Sequence, residues 1–82
     1  MSQWNKLIDD ILKLNKNLRF ADLAKALIKM GYNQSQPKSG SSHYTFRKTG
    51  KLPITIPKSS SINKAYIEMV RNAILEFENE EE

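Results

Sequence analysis

Apolar residues recur in the first third of the chain at intervals of three and four. Trp4, Leu7, Ile8, Ile11, Leu12 and Leu14 share one side of a helix drawn over residues 4–14, with Ser2 placed to cap its start. Asn15, Lys16 and Asn17 interrupt the pattern. It resumes with Phe20, Leu23, Ala24, Leu27, Ile28 and Met30, predicting a second helix that closes at Gly31 as a C-cap.

Past Gly31 the period drops to two. Residues 32–36 are polar enough for an edge strand, which Pro37 ends. In residues 42–48, Tyr44 and Phe46 point to one side while His43, Thr45 and Arg47 point to the other, because successive strand side chains alternate faces. Tyr44 and Phe46 belong to the core, and the opposite face meets solvent. Thr49 and Gly50 supply a turn, and Leu52, Ile54 and Ile56 continue the alternation on a return strand whose pairing Pro53 and Pro57 limit. A hairpin over residues 42–56 follows.

After the polar connection at residues 58–61, helical spacing returns in Ile62, Tyr66, Met69, Val70, Ala73, Ile74 and Phe77, with Ser61 or Asn63 able to cap the start. This third helix is expected to cover the sheet. Beyond Phe77 the acidic residues 78–82 have no apolar partner and oppose the helix dipole, which predicts a frayed end. The order is α-α-β-β-β-α. It predicts an α+β fold of two layers with a three-stranded antiparallel sheet, as one domain over residues 1–77.

Eighty-two residues allow a single small domain with a thin core. The absence of cysteine excludes disulfides, thiolate nucleophiles and cysteine zinc sites. No apolar run approaches a membrane span, and Asp9 and Asp10 interrupt the first apolar stretch, so neither a membrane protein nor a signal peptide is expected and the cytoplasm is the default location. Charge changes the picture more. Five of the nine acids (Glu76, Glu78, Glu80, Glu81 and Glu82) close the chain, so residues 1–75 hold thirteen Lys or Arg against four acids, a balance of +9. A body this basic calls for a polyanionic partner, with nucleic acid ahead of an acidic protein surface.

His43 is the one histidine. Histidine is the side chain whose ordinary pKa lies nearest neutrality, and alternation places this one on the wet face, within reach of a substrate. Just before it, Lys38, Ser39, Gly40, Ser41 and Ser42 offer backbone N–H groups, hydroxyls and a cation suited to a phosphate, and Arg47 follows four residues on along the same face. Lys48, Lys51 and Lys58 complete the candidate phosphate-binding set. On spacing alone, a lone surface histidine is more often decorative than catalytic. There is no dinucleotide or phosphate glycine loop and no second histidine for a metal pair. The carboxylates of the body (Asp9, Asp10, Asp22 and Glu68) all fall on predicted helices, so a two-carboxylate or metal hydrolase is not expected and no cofactor is implied.

The run Phe20-Ala-Asp-Leu23, then Met30-Gly31-Tyr32, Ser39-Gly-Ser-Ser-His43-Tyr-Thr-Phe46, Pro53-Ile-Thr-Ile-Pro57 and Ile62-Asn-Lys-Ala-Tyr-Ile-Glu-Met-Val-Arg71 resembles the HicA family of toxins over residues 19–75. The resemblance implies a fold like a double-stranded-RNA-binding domain, a ribonuclease that cuts messenger RNA, and a HicB-type antitoxin partner that covers the site. It maps the family's catalytic histidine onto His43. The shortest form of the family turn reads Gly-Ser-His, whereas this chain has Gly40-Ser41-Ser42-His43, and the helix over residues 4–14 and the acidic tail are additions. The groups present suffice for neutral His43 to take a proton from a ribose 2′-OH while nearby cations stabilise the phosphate charge. The alternative is a non-catalytic RNA-binding module, or beyond that a basic surface that docks an acidic protein.

Overall fold

The computed structural model describes residues 3–35, 42–58 and 62–80. Three helices and a three-stranded antiparallel sheet follow in the order α1 (Gln3–Leu12), α2 (Phe20–Lys29), β1 (Asn33–Gln34), β2 (His43–Arg47), β3 (Ile54–Pro57) and α3 (Lys64–Glu80). The fold is α+β, with the element order that the hydrophobic pattern predicts. The expected cap residues Ser2 and Ser61 lie outside the described residues.

The first helix ends two residues before its apolar pattern does. Leu14 takes φ +58, and the Leu14 and Asn15 N–H groups donate back to the carbonyls of Ile11 and Asp10, both at 3.0 Å. This is a Schellman closure with leucine in the left-handed position usually given to glycine. The second helix closes the same way with the residue the sequence points to. Gly31 has φ +101, its N–H donates to Ile28, and the Tyr32 N–H donates to Leu27. At the front of α2 the Asp22 carboxylate accepts the Arg19 N–H at 3.0 Å, placing an acid in the first turn where the dipole favours it. The third helix is capped by Asn63, whose Oδ1 accepts the Ala65 N–H at 2.9 Å. It continues to Glu80, three residues past Phe77, because glutamates sustain i to i−4 bonding without apolar partners.

The sheet order is β1-β2-β3, with β2 in the middle. Tyr44 faces Ile56 and Phe46 faces Ile54, so the hairpin register matches apolar to apolar on one face. Phe46 and Ile56 are wholly buried there, together with Leu23, Leu27, Val70 and Ile74 from the helices. The Phe20 ring of α2 meets Tyr44 at 5.0 Å and Phe46 at 6.2 Å between centroids, joining the helix layer to the sheet. The helix α1 packs on α2 and α3.

The return strand begins later than expected. Pairing ends at Ile54, and Leu52 is 85% exposed at the hairpin end instead of joining Ile54 and Ile56 in the core. Pro53 has no N–H for the ladder, and the Lys51 N–H closes a turn on the Lys48 carbonyl at 3.0 Å with Gly50 at φ +83, which leaves Leu52 beyond the last pair. The first strand is also shorter, although the Ser35 N–H donates to Thr45 at 2.8 Å and extends the ladder by one bond.

Candidate nucleic-acid interface

With the helices on one face of the sheet, the other face carries His43, Thr45 and Arg47 from β2, Thr55 and Pro57 from β3, and Asn33 from β1. The registers His43 to Pro57, Thr45 to Thr55 and Arg47 to Asn33 set these residues side by side in three rows. His43, Arg47, Thr55 and Asn33 are exposed, as the alternation requires. Between the histidine and the arginine, the Thr45 and Thr55 hydroxyls lie 3.1 Å apart. One donates to the other, so the pair still presents a free O–H and open lone pairs to the outside. This couple was not singled out from the sequence, because its partners are ten positions apart and meet only once the hairpin register is known.

His43 and Arg47 occupy opposite ends of β2. A strand rises about 3.3 Å per residue, so their Cα atoms are about 13 Å apart. They therefore serve neighbouring parts of an extended ligand and not one phosphate. At the histidine end the Lys58 N–H donates to the Ser42 carbonyl at 2.8 Å, fixing the backbone entering β2. The Lys58 ammonium lies 5.9 Å from the centroid of the Tyr44 ring, on the helix-facing side of the strand. At the arginine end Asn33, Arg47, Lys48, Thr49, Lys51 and Pro53 line a hollow of about 310 Å³.

The two lysines of that hollow each hold a contact within the fold. The Lys48 Nζ donates to the Met30 carbonyl at 2.8 Å and lies 4.9 Å from the Phe77 ring centroid and 5.7 Å from that of Tyr32. It faces inward because it is two residues from Phe46 on the same side of β2. Lys51 pairs with Glu76 of α3 at 3.6 Å and is largely covered. Of the expected set, the structure thus gathers His43, Ser42 and Arg47 on or beside the outer face, brings Lys58 to the histidine end, and turns Lys48 and Lys51 toward α3. Lys38, Ser39, Gly40 and Ser41 lie outside the described residues.

Among the described residues no three His, Asp or Glu side chains form a metal-ligand cluster, and no helix is long and apolar enough to cross a membrane. Set against known protein families, curated proteins and solved structures, the chain matches none.

Proposed function

We propose that this protein is a cytoplasmic endoribonuclease toxin of the HicA type, with the outer sheet face as its RNA-binding surface and His43 as its general base. The observation that carries the reading is the exposed imidazole at the first position of β2, in line with a hydroxyl pair and an arginine on one open polar face. The +9 balance of residues 1–75 and the family resemblance support it.

In the reaction, neutral His43 accepts the proton of a ribose 2′-OH. The 2′-oxygen bonds to the adjacent phosphorus, the bond from phosphorus to the 5′-oxygen breaks, and that oxygen takes a proton from solvent water as it leaves. The products are a 2′,3′-cyclic phosphate end and a 5′-hydroxyl end. Ser42, the residue before His43, donates to the phosphate being cut, and Arg47 and its hollow take a phosphate further along the strand. Because the nucleophile is the 2′-OH, DNA binds without being cut. One positioned base contributes about 10² to 10⁴ in rate, in keeping with a slow enzyme. A HicB-type antitoxin silences it by laying an acidic surface over His43 and Arg47 together.

The test is to incubate wild-type and His43→Ala protein with one end-labelled RNA in the presence of a chelator and to map the ends. Cyclic phosphate ends from the wild type alone support the proposal. Equal cleavage by both proteins, or 3′-hydroxyl ends, removes it. RNA that is bound in a salt-dependent way yet stays intact gives the second reading, a non-catalytic RNA-binding module, which the mixed hydroxyl and cation chemistry of the outer face also favours.

A further inference from the structure

The corner where α1 ends and α3 begins holds a second basic hollow, away from the sheet face. It has a volume of about 430 Å³ and is lined by Lys13, Leu14, Lys16, Ile62, Lys64 and Ile67. Three ammonium groups surround an aliphatic floor. Lys13 and Lys16 come from the segment that follows α1 and Lys64 is the first residue of α3, so the fold assembles them from separate parts of the chain.

Carboxylates only partly offset this charge. Lys13 pairs with Asp9 at 2.9 Å, and Asp10 adds to the field around it. Among the described residues Lys16 and Lys64 enter no ion pair, and the first turn of α3 contains no acid. Because Asn63 already caps that helix, the site draws on the ammonium groups and not on the helix end. Like charges held around one hollow repel each other, an arrangement that an anion relieves.

Position identifies the anion. Pro57 is the ladder partner of His43, and Ile62 is five positions further along the chain, so their Cα atoms are no more than about 18 Å apart. We infer that the Lys13, Lys16 and Lys64 hollow is a phosphate anchor for the RNA strand running past His43, with the ribose resting on Leu14 and Ile62. The inference rests on the RNA reading above and assigns the segment that closes the added helix α1 a part in holding substrate. An acidic protein surface would need carboxylates matched to three separate points, whereas a nucleic-acid backbone presents phosphates in series.

The test uses full-length protein carrying His43→Ala, so that RNA stays whole, and a labelled single-stranded RNA titrated at several salt concentrations. Each phosphate contact contributes about 0.7 to the slope of log affinity against log salt for single strands, so Lys16→Gln with Lys64→Gln should lower the slope by about 1.4. The pair Lys25→Gln with Lys29→Gln removes the same charge from α2 and should change it by much less. Equal slopes for the parent and the hollow variant, both folded by circular dichroism, overturn the inference, as does an equal fall in the control pair. If the parent still binds RNA and the wild type still cleaves it, only this inference fails. A parent that binds phosphatidylserine vesicles and not RNA overturns both readings.

Discussion

The Nζ of Lys48 donates to the main-chain carbonyl of Met30 at 2.8 Å, tying the middle strand to the end of α2. Met30 is the C-cap of that helix, so the lysine satisfies one of its last carbonyls while resting against Phe77 of α3. One side chain thus joins three elements. Lys48→Met keeps the length of the stem but removes a charge-assisted bond and a cation–π contact, with an expected loss of about 2 kcal/mol. Thermal melting should show a fall of roughly 10 °C for a domain of this size. The RNA salt slope should change less than in Arg47→Gln, whose guanidinium is exposed on the outer face. The reverse order would mean that Lys48 meets RNA directly.

Leu52 and Ile56 occupy equivalent positions in the sequence alternation but opposite environments, at 85% and 0% exposure. Leu52→Ser should leave stability within about 0.5 kcal/mol of the parent. Ile56→Ala empties a packed site facing Tyr44 and should cost about 3 kcal/mol. Denaturant unfolding of the two variants checks the difference, and similar losses would mean that Leu52 is packed in solution.

Much of the fold was legible because the period of the apolar pattern changes where the elements change. The break at residues 15–17 separates α1 from α2, Gly31 closes α2, and the Tyr44 and Phe46 alternation defines the inner face of β2. Finer features depended on competition between local rules. A two-residue loop at Thr49 and Gly50 would set Phe46 opposite Pro53, whereas the observed register sets it opposite Ile54, because matching the apolar faces outweighs the shortest turn. The exposure of His43 and Arg47 followed from parity along one strand. The inward turn of Lys48 follows from the same parity, two positions from Phe46, yet net charge counts it with the outer cations. Lys51 could not be placed from the sequence, since its partner Glu76 lies on α3, twenty-five positions away. The Lys13, Lys16 and Lys64 hollow was hidden for the same reason, being assembled by packing between helices.

Gly31 and Lys48 meet where α2 leads into β1. A Cβ built on Gly31 would lie 3.5 Å from the Lys48 Cε, an ordinary contact, so space does not forbid a side chain. The backbone does, since φ is +101. Gly31→Ala should lower stability by about 1 to 2 kcal/mol through left-handed strain. Combining it with Lys48→Met should give close to the sum of the two losses, as the alanine methyl makes no overlap for the lysine to relieve. A double variant markedly more stable than the sum would show that crowding, and not φ, sets the cost.

Lys13 is hydrogen bonded to the Asp9 carboxylate, and that bond, reinforced by the charge of the carboxylate, raises its pKa above the ordinary 10.5. A cation whose pKa is raised on folding is charged in both folded and unfolded chains below the unfolded value. The stability it adds is therefore fully present below about pH 10.5 and is lost as the pH climbs through the higher folded value. Lysine and arginine as classes stay charged far above neutrality. RNA affinity of the His43→Ala protein should accordingly be flat from pH 6 to 9, and melting should show no contribution from the Lys13 pair changing over that range. An affinity that falls as the pH rises from 6 to 9 would show that groups other than these cations govern RNA binding.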